Sequence, residues 1–332
     1  MTTKPIRIAV VGAGEFGRNH VRLWRELEGA ELAGVVDTNP DRARQIAAEF
    51  EVKVIPTLDA LSDERVAAVS LAVPTKEHAS IGARLLDAGF DVLVEKPMAA
   101  SLGEADELIG AARRSGRVLQ IGHVERFNPA VVAVQQIVSE PMFFEVHRLG
   151  IFTPRSLDID VVYDLMIHDL DILLSLVNVP VTDLRAVGIP VITDKVDIAH
   201  ARIEFSTGAV ANVTASRVST ERVRKMRFFQ AHEYISLDFT RQDALRVRVQ
   251  SKNIQTESPM PEIGFEKLPT VPEEPLRAEL RAFLEAVRTR QQPVVDGAAG
   301  RRALELANQV MASILDHARR VQVNAFTTQD IR

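Results

Sequence analysis

Three short stretches hold residue types whose spacing could do chemistry. The first is Glu95-Lys96-Pro97, at the end of the apolar run Val92-Leu93-Val94. Pro97 cannot donate a ladder hydrogen bond, so the strand ends there. In an open α/β sheet ligands bind beyond the carboxyl ends of the strands, which puts Glu95 and Lys96 in the expected cleft. The second stretch carries Asp160, Asp164, His168 and Asp171 at i, i+4, i+8 and i+11, one stripe of a helix rich in Val, Ile, Leu and Met. Such a stripe faces solvent or lines a site, and the bulk of apolar side chains around this one favours a site. Asp and His one turn apart also suit a divalent metal, but no other carboxylate or His motif of metal spacing accompanies them, and no metal is expected. The third stretch, Gly12-Ala13-Gly14-Glu15-Phe16-Gly17, can cradle a pyrophosphate.

The elements that must position these groups follow from the surrounding pattern. Ile6 to Val11 reads as a strand, and His20, Leu23, Trp24 and Leu27 recur at helical spacing after the glycines. Gly12 permits a tight turn, Gly14 admits the phosphates, and Gly17 lets helix and strand pack closely. A second strand, Glu31 to Val36, ends at Asp37, about 20 residues on, where an acidic side chain takes the adenine-ribose hydroxyls. Asp37 would repel a 2′-phosphate, and Thr38 and Asn39 offer no cation to hold one. NAD is therefore expected over NADP, with Arg42 the one nearby residue that argues otherwise. Asn39 and Pro40 read as the cap and first position of a helix. Val52 to Ile55 is a short strand, and Ala67 to Val73 a buried one ending at Pro74-Thr75, beside the cofactor. Thr75 is a candidate cap for the helix carrying His78, which touches cofactor or substrate or else packs at the helix start. Ser101 and Glu104 form a capping box, and Val118 to Ile121 closes this half.

The crossover Gly122-His123-Val124-Glu125-Arg126-Phe127-Asn128-Pro129 marks the expected boundary, giving domains of 1–121 and 122–332. Arg126 and Asn128 there contact ligand or fix the junction. Beyond it, strand-like runs at Met142 to Arg148, Val181 to Ile189, Val196 to Phe205, Ala209 to Ser216, Val223 to Gln230, Tyr234 to Phe239 and Leu245 to Gln250 read as an antiparallel sheet in an α+β pattern. Ser258 to Pro275, with its prolines, reads as an extended surface loop, and two amphipathic helices follow, about Pro275 to Thr289 and Gly300 to Arg320. At 332 residues, 46% hydrophobic and 26% charged, the chain is expected to form two globular domains. A net charge of -5 gives no general pull toward nucleic acid or anionic membrane. With no cysteine, disulfides, thiol catalysis and cysteine-ligated zinc are excluded, which suits a reducing cytosol. The start of the chain runs directly into a strand and does not read as a signal peptide. No apolar run approaches the roughly 18 residues that span a bilayer, so no membrane insertion is expected.

Gly12-x-Gly14-x-x-Gly17, Asp37, Glu95-Lys96-Pro97 and Asp164-x-x-x-His168 together resemble the glucose-fructose oxidoreductase/inositol dehydrogenase/MocA family over essentially the whole chain. The resemblance implies an N-terminal Rossmann domain and a C-terminal open antiparallel sheet that often forms the oligomer interface, as dimer or tetramer. It also implies hydride transfer between a sugar or polyol carbon and nicotinamide. Lys96 matches the family's catalytic lysine, Asp164 and His168 its Asp and His, and the Lys96–Pro97 peptide is often cis in relatives. The crossover from Gly122, the helix text through His168-Asp169-Leu170-Asp171, and Arg222 to Phe229 are similar to one branch of the family. Members of that branch oxidise the C3 hydroxyl of UDP-N-acetylglucosamine, and a partner aminotransferase then installs the amine of an amide-linked lipid A precursor.

For that chemistry a base with pKa near neutrality must take the hydroxyl proton as hydride leaves, which suits His168. Asp164 would orient the ring, and Lys96 would hydrogen-bond the same hydroxyl and favour the alkoxide, or itself be the base. Glu95 reads as a structural or cofactor-side residue. A nucleotide-sugar diphosphate calls for arginine forks, and Arg148 and Arg155 are candidates; Arg217, Arg222, Arg224, Lys225 and Arg227 form a second cluster that equally suits a solvated or interface strand. The rival readings are the same chemistry on inositol, a free sugar or a linear tetrapyrrole, and a non-catalytic cofactor-binding regulator. Nucleic-acid binding has only Arg222 to Arg227 in its favour.

Overall fold

In the N-terminal part, Val- and Ala-rich runs alternate with helical patterns. The computed structural model, which describes residues 4–153, 159–249 and 262–321, turns them into β1 (Ile6–Val11), α1 (Glu15–Glu26), β2 (Ala30–Val36), α2 (Pro40–Phe50), β3 (Ala68–Leu71), α3 (His78–Asp87), β4 (Asp91–Glu95), α4 (Leu102–Ser115) and β5 (Leu119–Gly122). The five strands are parallel in the order β2-β1-β3-β4-β5. The order reverses between β1 and β3, so a crevice opens at their carboxyl ends. β3 and β4 are buried at every position, as strands covered on both faces must be. Asn39 accepts the Asp41 and Arg42 N–H groups at 3.0 and 3.1 Å with Pro40 at the first helical position. Ser101 accepts from Glu104 N–H at 3.2 Å, while the Glu104 carboxylate accepts Ala100 N–H at 2.9 Å. The Val52 to Ile55 run is reduced to a single bridge, Val54 to Val35.

The next elements are α5 (Pro129–Gln135), β6 (Phe143–Leu149), α6 (Ile167–Val177), β7 (Val181–Ile189), β8 (Ile198–Phe205), β9 (Val210–Ser216), β10 (Val223–Gln230), β11 (Glu233–Asp238), β12 (Asp243–Val249) and β13 (Ile263–Lys267). Their eight strands form one sheet in the order β13-β12-β11-β10-β6-β9-β8-β7. Each neighbouring pair is antiparallel except β6 and β9, which run parallel. β7-β8-β9 is a meander laid on one edge of β6 and β10 to β13 a second meander on the other; only the join between them departs from the antiparallel pattern. β13 lies within the segment read from sequence as an extended loop. Ile263 to Lys267 instead pair with Val249 to Leu245, because backbone groups on the free edge of β12 find partners there. The rest of that segment up to residue 261 lies outside the described residues.

Two helices end the described chain, α7 (Pro275–Thr289) and α8 (Gly297–Arg320). Leu280, Phe283, Leu284 and Val287 of α7 join Ile8, Val10, Val21, Trp24 and Leu93 in one core. Trp24 and Phe283 meet edge to face at 6.3 Å. Burying each such large apolar side chain contributes about 1.5–3 kcal/mol. The chain therefore divides into one unit of Met1–Phe127 with Glu274–Leu304 and another of Asn128–Glu273 with Glu305–Arg332. The sequence reading drew the line at residue 121 and placed all that follows in the second domain. Residues 122–127 and 274–304 lie instead with the first unit, since the apolar face of α7 packs on α1. Among the described residues no helix is long and apolar enough to cross a membrane.

Candidate active site

In the first unit the turn after β1 is shaped by backbone contacts. Gly12 has φ +100°, and a Cβ there would sit 2.3 Å from Ala72 O; one on Gly17 would sit 1.8 Å from Gly12 O. Those two glycines are needed by the protein itself. A Cβ on Gly14 would meet nothing within 4 Å beyond its chain neighbours and its own helix, and Gly14 is the N-cap of α1. The open space thus faces the positive end of a helix, where a pyrophosphate is favoured. Glu15 and Phe16 follow on the first turn, both exposed. Asp37, beyond β2, accepts Ala13 N–H on one carboxylate oxygen and Asn39 N–H on the other, each at 2.7 Å. An ionised carboxylate has room for about four hydrogen bonds, so acceptor capacity remains for ribose hydroxyls. Arg42 lies 3.7 Å from the Asp37 carboxylate. These residues fit a dinucleotide with an unphosphorylated ribose.

At the end of β3, Pro74 leads into a short 3₁₀ turn, Thr75–Glu77, with no side-chain cap. Thr75 does not cap by its hydroxyl, as the sequence had suggested; its carbonyl accepts the His78 N–H instead. His78 is buried at the start of α3, with Nδ1 2.8 Å from Pro97 O and Nε2 2.8 Å from Val73 O. Burial pushes its pKa down, against the two carbonyls and the Glu95 charge, which favour the cation. The ring ties the loop after β3 to the loop after β4. The Lys96–Pro97 peptide is cis. Lys96 is half-buried, and Glu95 is buried. Burial alone would raise the Glu95 pKa, but the His20 hydrogen bond and neighbouring positive charge, Lys96 included, outweigh it and hold the carboxyl below its ordinary value. His20 was read from sequence as one position of the apolar stripe of α1. It is a functional candidate that reading missed, and the signal available was a polar side chain on a helix face that must be buried.

In the second unit the polar stripe does not survive as one face. Val162–Met166 form a π-helical turn before α6, in which Ile167 N–H reaches back to Val162 O. An i→i+5 turn carries an extra residue and shifts the phase of everything after it. Asp160 precedes that turn and accepts Val196 N–H at 2.8 Å. Asp171 is buried. Asp160, Asp164 and His168 are half-buried. Tyr163, between Asp160 and Asp164, donates to Asn308 Oδ1 at 2.8 Å. Its pKa is pushed up to about 12 by burial and by the Asp160 charge.

Arg148 is not placed as a fork for substrate phosphate. Its guanidinium is buried and makes two bonds to Asp169, at 2.7 and 2.8 Å, with the Phe239 ring 5.1 Å away. The sequence could not show that an acid 21 positions later would claim it. Asn128 is likewise buried, accepting Ala130 N–H at 3.1 Å as the cap of α5 and donating to Phe239 O at 3.0 Å. These two bonds fix the start of α5. Arg126 is half-buried in the short turn just before it, and Arg155 lies outside the described residues. Of the second arginine cluster, Arg217 is buried 3.6 Å from Asp197, and Lys225 and Arg227 pair with Asp238 and Glu145 at 3.7 and 3.1 Å. Among the described residues no group of three His, Cys, Asp or Glu side chains could hold a metal ion.

Two family models match the chain. One, described as an oxidoreductase family with an NAD-binding Rossmann fold, covers residues 6–123, and the GFO/IDH/MocA C-terminal domain covers residues 134–232. The chain is 39% identical over 310 residues to a UDP-N-acetylglucosamine 3-dehydrogenase of Acidithiobacillus ferrooxidans, covering 93% of this chain and 97% of that protein. A solved structure of the Acidithiobacillus enzyme matches with a TM-score of 0.86 at 38% identity, over 94% of this chain and 98% of that one. The scyllo-inositol 2-dehydrogenase (NAD(+)) of Bacillus subtilis is 28% identical over 232 residues, 64% of this chain and 68% of that one. A levoglucosan dehydrogenase solved with NADH and levoglucosan, 18% identical with a TM-score of 0.82 over 94% of this chain and 98% of its own, shares the fold.

Proposed function

The chain belongs to the Gfo/Idh/MocA family of NAD-binding oxidoreductases, and from that premise we propose that it oxidises the C3 hydroxyl of UDP-N-acetylglucosamine to a ketone. The observation that carries the substrate is the 39% identity to a dehydrogenase of that sugar nucleotide across nearly the full length of both chains. NAD supplies the hydride acceptor when bound. The glycine turn and the N-terminus of α1 hold its pyrophosphate, and Asp37 its adenine ribose, with Pro74, Thr75 and the Glu95-Lys96-Pro97 strand end along the same crevice. The negative charge of Asp37, with Arg42 drawn to it, disfavours the 2′-phosphate of NADP.

The hydroxyl proton passes to His168. Its Nδ1 is shut off from solvent, which leaves Nε2 as the atom that receives it. Asp164 orients the ring and stabilises the imidazolium, as a carboxylate does for a catalytic histidine. Lys96 holds the same oxygen and favours negative charge as it develops there. The reading extends to the product: a 3-keto sugar nucleotide is a substrate for a pathway aminotransferase, and the resulting amine would serve an amide-linked lipid A precursor. The absence of cysteine agrees with work in the cytoplasm.

A homo-oligomer, dimer or tetramer, forms through the sheet of the second unit in this reading. It is supported by a run of cross-strand neighbours on one face, Phe143, Phe229, Tyr234, Val247 and Phe265. Aromatic rings along it stand 5.9 and 5.1 Å apart, and Phe265 is 72% exposed, which is much apolar surface to leave in water. The test of function is NADH formation by the purified protein with UDP-N-acetylglucosamine, UDP-glucose and myo-inositol. An aminotransferase with glutamate is added to draw off the ketone. A signal with the acetylated sugar nucleotide alone is expected; a signal with myo-inositol alone would move the substrate to the polyol branch of the family.

A further inference from the structure

Behind the end of β4 runs a line of buried polar side chains that ends at Glu95, and the proposed chemistry has no use for the three that precede it. Trp24 Nε1 donates to Ser70 Oγ at 3.2 Å, Ser70 Oγ lies 2.7 Å from His20 Nδ1, and His20 Nε2 lies 2.9 Å from Glu95 Oε1. Trp24, Ser70 and His20 are wholly buried and Glu95 is 7% exposed. The line joins α1, β3 and β4. A carboxylate only accepts, so Nε2 carries the proton toward Glu95. Ser70 Oγ accepts the indole N–H, and its own hydrogen is then available to Nδ1. Every polar group in the line has its partner, and the direction runs one way, from Trp24 to Glu95. The other Glu95 oxygen, Oε2, accepts Lys96 N–H at 3.3 Å. Gly122 on β5 completes the seat, since a Cβ there would lie 2.9 to 3.0 Å from the carboxylate atoms.

A charge as deeply buried as Glu95 persists only when it is paired and hydrogen-bonded. The titratable groups that face it are His20 from α1, His78 from α3 and Lys96 from its own strand end. Among the described residues, only His20 offers it a hydrogen bond from a side chain buried completely. We propose that His20 is a positioning residue for the dehydrogenation: its Nε2–H keeps the Glu95 carboxylate charged and fixed behind Lys96, and so sets the protonation and placement of the Lys96 ammonium. The proposal rests on the reading that Lys96 acts on the substrate hydroxyl. His20 itself touches neither the hydroxyl nor its proton.

The test compares His20→Leu, which removes the donor, with His20→Gln, whose amide N–H can replace it. Glu95→Gln removes the charge at nearly constant shape. In the full-length protein labelled with ¹³Cε-lysine, Lys96 is titrated by NMR, its signal assigned by its loss in Lys96→Arg. The Lys96 midpoint is expected to fall by about one pH unit or more in His20→Leu and in Glu95→Gln, and to return toward wild type in His20→Gln. In turnover, His20→Leu lowers kcat on the order of tenfold to a hundredfold, with the KM for the sugar little changed and the pH profile of kcat displaced in the same sense. A folded His20→Leu protein with the wild-type midpoint and kcat would overturn the proposal, as would His20→Gln being as impaired as His20→Leu. If His20→Leu does not fold, an unchanged midpoint in Glu95→Gln overturns it alone. Because the titration needs no turnover, a wild-type protein inert with every sugar would remove the substrate and leave this inference standing or falling by itself.

Discussion

Gly14 and Gly17 look alike in the sequence, and the space around them separates their roles. A methyl at Gly17 meets the Gly12 carbonyl at 1.8 Å, whereas a methyl at Gly14 meets nothing within 4 Å beyond its chain neighbours and its own helix. Gly17→Ala should therefore cost about 1–3 kcal/mol of stability or more, read as a fall in urea midpoint. Gly14→Ala should leave stability within about 0.5 kcal/mol of wild type. It should also weaken NAD on the order of tenfold, about 1.4 kcal/mol, measured by calorimetry; equal losses of stability in both variants would refute the distinction. His78 gives a pH signature. Its folded pKa is depressed by burial below the ordinary 6.5, so above 6.5 its contribution is complete and the unfolded chain binds more protons just below it. Stability is lost as pH falls from 6.5 toward the folded value. Glu95, depressed below 4.5, adds a second loss at more acid pH. Urea midpoints measured from pH 7.5 to 5 should decline, and the decline between 6.5 and 5 should be shallower in His78→Gln; an identical slope would show that His78 is not its source.

At the scale of elements, the Arg148–Asp169 pair seats α6 against β6. Removing one partner leaves a buried charge alone, so Asp169→Ala should destabilise by about 3–5 kcal/mol. The double variant Arg148→Met/Asp169→Leu should recover most of that, and a double variant no better than the single one would contradict the account. What could be read in advance divides along the same physical lines. β1, β3, β4 and β5 are short, mostly apolar runs closed by Gly or Pro, and the caps at Asn39 and Ser101 are local hydrogen bonds, so both kinds of feature are written in a few adjacent residues. The π-helical turn is not, because apolar residues on all sides of that helix give no phase by which an inserted residue would show. Arg148 reads as a ligand contact, and Asn128 as either a ligand contact or a junction residue, because their partners, Asp169 and Phe239, lie 21 and 111 positions away. β13 was hidden by the prolines around it, and His20 by a position that suits an apolar side chain equally well.

For the whole molecule, the apolar run from Phe143 to Phe265 predicts assembly. Sedimentation of the wild-type protein should give at least a dimer, and Phe229→Arg/Phe265→Glu should shift it to a smaller species with the same circular dichroism; an unchanged mass would place the interface elsewhere. The unit that holds the glycine turn has a further property: it is not contiguous in the chain. Residues 274–304 return to it from beyond the second unit, and they bring Phe283 to Trp24. A ribosome must therefore reach residue 274 before β1, made long before, can be sealed. Until then the exit tunnel releases a nucleotide-binding sheet with one flank of α1 bare. A stop codon just before residue 274 should yield an insoluble product although every residue that would touch the dinucleotide is already present, and co-expression of the missing C-terminal segment as a separate peptide should restore part of the soluble yield.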